Sequence, residues 1–269
     1  MGTTSGAGLV ARSGGQAEQR ALTLRSPAIE MTQRLQDGYR RTVPGPRLRA
    51  VLLRLAVLAG IWAGLVALLI AAGEFVVHSA AVTHFDDHVT SSVVNSRTAT
   101  LNSVMKSVTW LGSWVALLVA AVVIVVLVIT RRLPGLAMVV AVFAWAGEAG
   151  GVRIGKTVVS RGRPPQAIWL VSAHGWSFPS GHTAAACLAF TVLALCAATP
   201  ASRRVVRILS WLTAGLAVAV TAFSRVELGV HWTTDVIASV LFVAGWLTAI
   251  AVLLGGRLRR PEPVLDRAG

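Results

Sequence analysis

The sequence predicts an all-α fold, a polytopic membrane bundle of six transmembrane helices. Three observations carry that expectation. Hydrophobic residues make up 55% of the 269 and charged residues only 13%, with nine Trp, and the mean hydropathy is +0.69, far to the apolar side of ordinary globular chains. Six apolar blocks run along the chain, each of the length that crosses a hydrocarbon core of roughly 30 Å as a helix. The arginines are also clustered, and every cluster falls on one side if the chain crosses six times.

The blocks, in order, are Val51 to Gly73, Ser113 to Thr130, Gly135 to Val152, Thr183 to Ala198, Val205 to Phe223 and Val236 to Leu254. A soluble bundle would need polar faces at helical spacing. The run LLVAAVVIVVLVI, Leu117 to Ile129, has none. Residues 51–255 are therefore read as one six-span membrane domain. Before it, residues 1–50 are rich in Gly, Ser, Thr, Gln and Arg without a long apolar run, which predicts a basic, disordered cytoplasmic tail rather than a secretory signal peptide. Residues 256–269 form a second basic cytoplasmic tail.

The formal charge of +14 does not imply nucleic acid. Eight arginines lie in the first 50 residues, followed by Arg131 and Arg132, then Arg203, Arg204 and Arg207, then Arg257, Arg259 and Arg260. The positive-inside rule places these clusters, and both termini, in the cytoplasm. Cys187 and Cys196 are nine residues apart on one predicted helix, about 13 Å along its axis. They cannot bond to each other and are read as packing residues.

This topology leaves three extracytoplasmic segments: 74–112, roughly 156–182, and 224–235. In the first, Leu101, Val104, Val108 and Leu111 recur at helical spacing among polar residues, predicting a short helix on the membrane surface. The other two hold most of the chemistry. Gly150-x-x-x-x-Gly155-Lys156-Thr157 matches the nucleotide P-loop pattern, but a P-loop needs a strand before its glycines and a long helix after its Thr. Here a membrane span precedes, Arg163-Pro164-Pro165 follows, and the loop faces away from cytoplasmic ATP.

The same lysine also opens Lys156-Thr-Val-Val-Ser-Arg-Gly-Arg163-Pro164, followed by Pro179-Ser180-Gly181-His182 and by Ser224-Arg225-Val-Glu-Leu-Gly-Val-His231-Trp-Thr-Thr-Asp235. A phosphate carries up to two negative charges, and its transfer spreads charge over three oxygens, so the chemistry calls for converging cations. Lys156, Arg163 and Arg225 supply three, Lys156 being one of only two lysines. Ser180 is placed as a helix N-cap and Gly181 allows close backbone approach, so a helix N-terminus faces the anion. No Gly-x-Ser-x-Gly elbow surrounds Ser180, which argues for capping rather than nucleophilic attack. His231 and Asp235 are spaced i, i+4, so a carboxylate can fix the imidazole tautomer and leave Nε2 free to attack. A metal site would want a third close ligand, and the neighbouring cations oppose one, so neither metal nor cofactor is expected.

In order and in every defining position, these three motifs resemble those of the type 2 phosphatidic acid phosphatase (PAP2) family, over about residues 135–255. The resemblance implies a core shared with vanadate-dependent haloperoxidases. It also implies phosphohistidine formation on His231, orientation by Asp235, general acid and base work by His182, and phosphate binding by Lys156, Arg163, Ser180, Gly181 and Arg225. The expected function is a membrane hydrolase of lipid phosphates or diphosphates acting at the extracytoplasmic face, the lipid its partner in the bilayer. Transfer to another acceptor, or lipid binding and transport without cleavage, are the rival readings, and a membrane chain disfavours halide oxidation. His78, His84, His88 and His174 have no partner at diagnostic spacing. Glu148, inside the third span, is expected to pair with Arg153 or a neighbouring span.

Overall fold

In the computed structural model, residues 31, 46–199 and 202–258 are described; the expected tails, 1–50 and 256–269, lie largely outside these residues. The chain divides into two units, Met1–Leu55 and Ala56–Gly269. Within the first unit the described residues 46–55 form the opening turns of α1. The packing and the site described below lie in the second.

Residues 46–258 form eight α-helices and no strand among the described residues. They are α1 (Pro46–His78), α2 (Ala80–Asn95), α3 (Ala99–Val108), α4 (Trp114–Ile129), α5 (Leu136–Val159), α6 (Gly181–Ala197), α7 (Arg204–Glu227) and α8 (Thr233–Leu258). Each predicted block sits in one of them. Four helices are long and apolar enough to cross a membrane: Leu48–His78, Leu136–Val159, Arg204–Glu227 and Thr233–Leu254. A fifth span results if Ala99–Gly112 and α4, bent by 44°, count as one, and α6 is a shorter apolar helix.

Local chemistry sets the helix starts. Thr98 accepts from Leu101 N at 3.1 Å to begin α3, Ser113 accepts from Val115 N at 3.2 Å to begin α4, and Ser180 accepts from Thr183 N to begin α6. These hydroxyls satisfy N–H groups that a first helical turn leaves unpaired. At the end of α7, Gly229 takes φ +75° while its N–H bonds Val226 O at 2.9 Å and Val230 N bonds Arg225 O at 3.2 Å. That is a Schellman closure, for which glycine suits the left-handed residue. A Cβ there would also collide with the Ile168 carbonyl oxygen.

Helix α6 lies at the centre, with Ala184, Ala186 and Ala189 almost fully buried. The main core joins Leu58, Val66 and Leu69 of α1, Val140, Ala144 and Val152 of α5, Leu188 of α6, and Phe242, Val243 and Trp246 of α8. Glycines bring α5 and α8 together: a Cβ on Gly147 would meet the Trp246 indole and one on Gly151 the Phe242 ring. The stretch with the P-loop pattern is thus helical throughout, with no strand before its glycines. Gly155 packs against Pro179, whose Cδ would lie 2.9 Å from an added Cβ.

Several helices outrun their predicted blocks, α1 reaching His78 and α8 starting at Thr233, and two of these extensions bear on the site. Helix α5 runs on past Val152 to Val159, and α7 past Phe223 to Glu227, because nothing in either stretch breaks a helix until Ser160, at φ 50°, and Gly229. Lys156 and Arg225 therefore stand on the last turns of helices, not in loops. The predicted surface helix is present as α3, but its inner face is Leu101, Met105 and Val108, packed on Leu228 and Val230, while Val104 is exposed.

Candidate active site

The three polar motifs meet at one end of the bundle. His231 lies in the turn between α7 and α8, not on a shared helical face with Asp235 as its spacing suggested, and is 2% exposed. Its Nδ1 is 3.2 Å from Asp235 Oδ2. Asp235, in the first turn of α8, also accepts from Trp232 N through Oδ2 at 3.0 Å. Arg163 Nη1 stands 3.1 Å from His231 Nε2. A guanidinium can only donate, so this contact assigns the lone pair to Nε2 and the proton to Nδ1, facing the carboxylate.

Arg163 is itself aimed by carbonyls: it donates to Val230 O at 2.6 Å, Gly175 O at 2.9 Å and His174 O at 2.9 Å. Lys156 Nζ donates to Trp176 O at 2.6 Å. Arg225 is buried and donates to Thr109 Oγ1 at 2.7 Å, while its Nε has no partner among the described residues. Ser180 is fully buried and caps α6, its Oγ accepting from Thr183 Oγ1 at 3.0 Å. Burial depresses the His231 pKa to about 3; Asp235 acts in the opposite direction, and Arg225 and Arg163 add to the depression.

Lys156, Gly181, His182, Glu148 and Arg153 line one cavity of about 660 Å³. Glu148 is 4% exposed and makes no hydrogen bond or ion pair among the described residues, so the expected partner in Arg153 is not found. A second cavity of about 350 Å³ is almost wholly apolar, lined by residues such as Leu118, Ile124, Val142, Trp145 and Val192 of α4, α5 and α6. Trp114 and Leu117 line both cavities. Among the described residues no group of three His, Cys, Asp or Glu side chains is placed to hold a metal ion.

Residues 134–260 match the family model of the PAP2 superfamily. This segment belongs to the PAP2 superfamily. Its motifs are the ones whose side chains converge here. The PAP2-type transmembrane phosphatidylglycerolphosphate phosphatase of Bacillus subtilis has a similar fold, with a TM-score of 0.64 at 22% identity over 75% of this chain and 98% of its own. LpxE of Aquifex aeolicus aligns with a TM-score of 0.47 at 24% identity over 61% of this chain and 93% of its own. No curated protein matches the sequence. With its apolar helices and this fold, the chain is a multi-pass membrane protein.

Two residues at the site carry no role in the sequence reading. Arg161, between Lys156 and Arg163, is 7% exposed and bonds both Asp235 Oδ1 and Asp86 Oδ2 at 2.7 Å. Asp86, on α2, is fully buried. Arg161 was legible as a second arginine inside the first motif; Asp86 left no local signal at all.

Proposed function

We propose that this protein is an integral membrane phosphatase that removes the phosphate, or the terminal phosphate of a diphosphate, from a lipid. The observation that carries the reading is the alignment of His231 between Asp235 at Nδ1 and Arg163 at Nε2, beside a cavity lined by Lys156 and His182. A phosphate oxygen competes for the Arg163 N–H that now covers the imidazole lone pair. Phosphate binding would thus uncover the nucleophile.

In the first step Nε2 of His231 forms a bond to phosphorus as the bond from phosphorus to the lipid oxygen breaks, and His182 donates a proton to that oxygen. Asp235 stabilises the positive charge that develops on the imidazole. In the second step His182 takes a proton from water, the hydroxide oxygen bonds phosphorus, and the P–N bond breaks. Inorganic phosphate leaves and His231 is restored. Lys156, Arg163 and Arg225 supply the positive charge around the equatorial oxygens, and the N-terminus of α6 at Ser180 and Gly181 adds backbone donors. No metal is required of the mechanism.

The apolar cavity that shares Trp114 and Leu117 with the polar one supports a substrate whose tail stays among α4, α5 and α6 while its head group meets the cations. Phosphatidic acid, phosphatidylglycerol phosphate and polyprenyl diphosphate have that form. Six spans, cytoplasmic termini and an extracytoplasmic site complete the proposal, on the arginine clusters.

The test is inorganic phosphate release from these three lipids by detergent-purified protein in EDTA, beside His231→Ala. Release that survives EDTA and disappears in the variant is the expected outcome. Wild-type release by His231→Ala would overturn the mechanism, and no release from any lipid by folded protein would turn the reading toward transfer or binding.

A further inference from the structure

Asp86 stands on α2, outside the residues 134–260 that match the superfamily model, yet it reaches the catalytic carboxylate through one intermediary. Its Oδ2 accepts from Arg161 Nη2 at 2.7 Å and from Thr234 Oγ1 at 2.5 Å, and its Oδ1 accepts from Thr234 N at 3.0 Å. Arg161 Nη1 donates to Asp235 Oδ1 at 2.7 Å and to Thr234 Oγ1 at 2.8 Å. The guanidinium also lies over the Trp232 ring, 5.4 Å from its centroid, a cation–π contact that adds to its fixed orientation. Both oxygens of Asp235 are thereby committed, Oδ1 to Arg161 and Oδ2 to His231 Nδ1.

The planar fork of an arginine can hold two carboxylates in a fixed mutual orientation, which a lysine cannot. Held by Asp235 alone, the same guanidinium would be free to rotate and would direct its whole charge at the group that must stabilise a cationic imidazole. Shared with a second buried carboxylate, it fixes the plane of Asp235 and leaves that residue more of its negative charge for His231. We propose that Asp86 and Arg161 are positioning residues of this site, holding Asp235 so that His231 presents Nε2 to phosphorus.

The inference rests on the phosphatase reading. A buried ion pair that merely secured α2 would, when broken, cost stability and weaken all ligands alike. A positioning role acts on the transition state and leaves ground-state binding nearly unchanged. The experiment uses full-length protein in detergent with phosphatidic acid in mixed micelles, and compares wild type with Asp86→Asn and Arg161→Lys. Vanadate, which takes the five-coordinate geometry of a transferring phosphoryl group, and inorganic phosphate serve as paired inhibitors.

The expected result is a kcat lower by about 10- to 100-fold, by analogy with the range for outer partners that orient a metal-bound histidine. KM and the inhibition constant for phosphate should stay within about twofold, and that for vanadate should rise in step with the loss in kcat/KM. Wild-type kcat in either variant would overturn the inference, as would equal weakening of vanadate and phosphate. Should Asp86→Asn not fold, Arg161→Lys decides, since it keeps the charge but cannot span two carboxylates. His231→Ala is run in parallel. Wild-type release there would bring down the phosphatase reading itself, whereas a dead His231→Ala beside an unimpaired Asp86→Asn brings down this inference alone.

Discussion

The imidazole of His231 is held neutral by its surroundings, and this has consequences for both rate and stability. Its folded pKa is lowered to about 3 from the ordinary 6.5, first by burial. Between those values the unfolded chain carries a proton that the native one does not, so falling pH favours unfolding across that window. The melting temperature of wild type, measured against His231→Asn, should therefore decline as pH drops from about 7 to about 4. A constant difference would count against a buried neutral imidazole. Arg163→Ala and Arg225→Ala should each raise the barrier by at least about 2 to 4 kcal/mol, as loss of one transition-state donor does, read from kcat/KM for phosphate release. Asp235→Asn should slow turnover while leaving KM nearly intact.

Helices α5 and α8 show how the elements bring these residues together. Gly147 and Gly151 form a smooth strip on α5 where the Trp246 and Phe242 rings of α8 rest, and Trp246 Nε1 reaches the Ala144 carbonyl at 3.0 Å. Gly151→Ala should cost about 1 to 3 kcal/mol as an overpacked contact, seen as a lower melting temperature in detergent; an unchanged one would show that the ring moves aside freely. Their neighbours Gly150 and Gly155 were visible in the sequence as a nucleotide-loop pattern, which a helix of small residues can mimic by chance. The start of α6 was legible because the Ser180 hydroxyl acts on its own next turn. The inner face of α3 was not: Met105 is buried in place of Val104 because of where Leu228 and Val230 stand.

For the molecule as a whole, the arginine clusters predict that the turn at Arg132 and the loop at Ser172 face opposite sides of the membrane. With Cys187 and Cys196 replaced, Ser172→Cys should react with an impermeant maleimide from the extracytoplasmic side, and Arg132→Cys only after permeabilisation. Both positions are exposed. Labelling of both from one side would overturn the proposed orientation.

The sequence by itself determined the apolar helices, the Ser180 cap of α6, and the residue types that motif spacing offers to a candidate phosphate site. Each of these depends on neighbours within a few turns, and apolar periodicity and capping are local effects. The tertiary structure alone decided that Asp86 closes a network with Arg161, 75 residues away, and with Thr234, 148 residues away. It also decided that Glu148 faces the cavity among residues that do not pair with it. A buried charge takes whatever partner the packing of helix ends brings within reach, and that packing is settled by the apolar faces of the whole bundle rather than by the sequence around the charge.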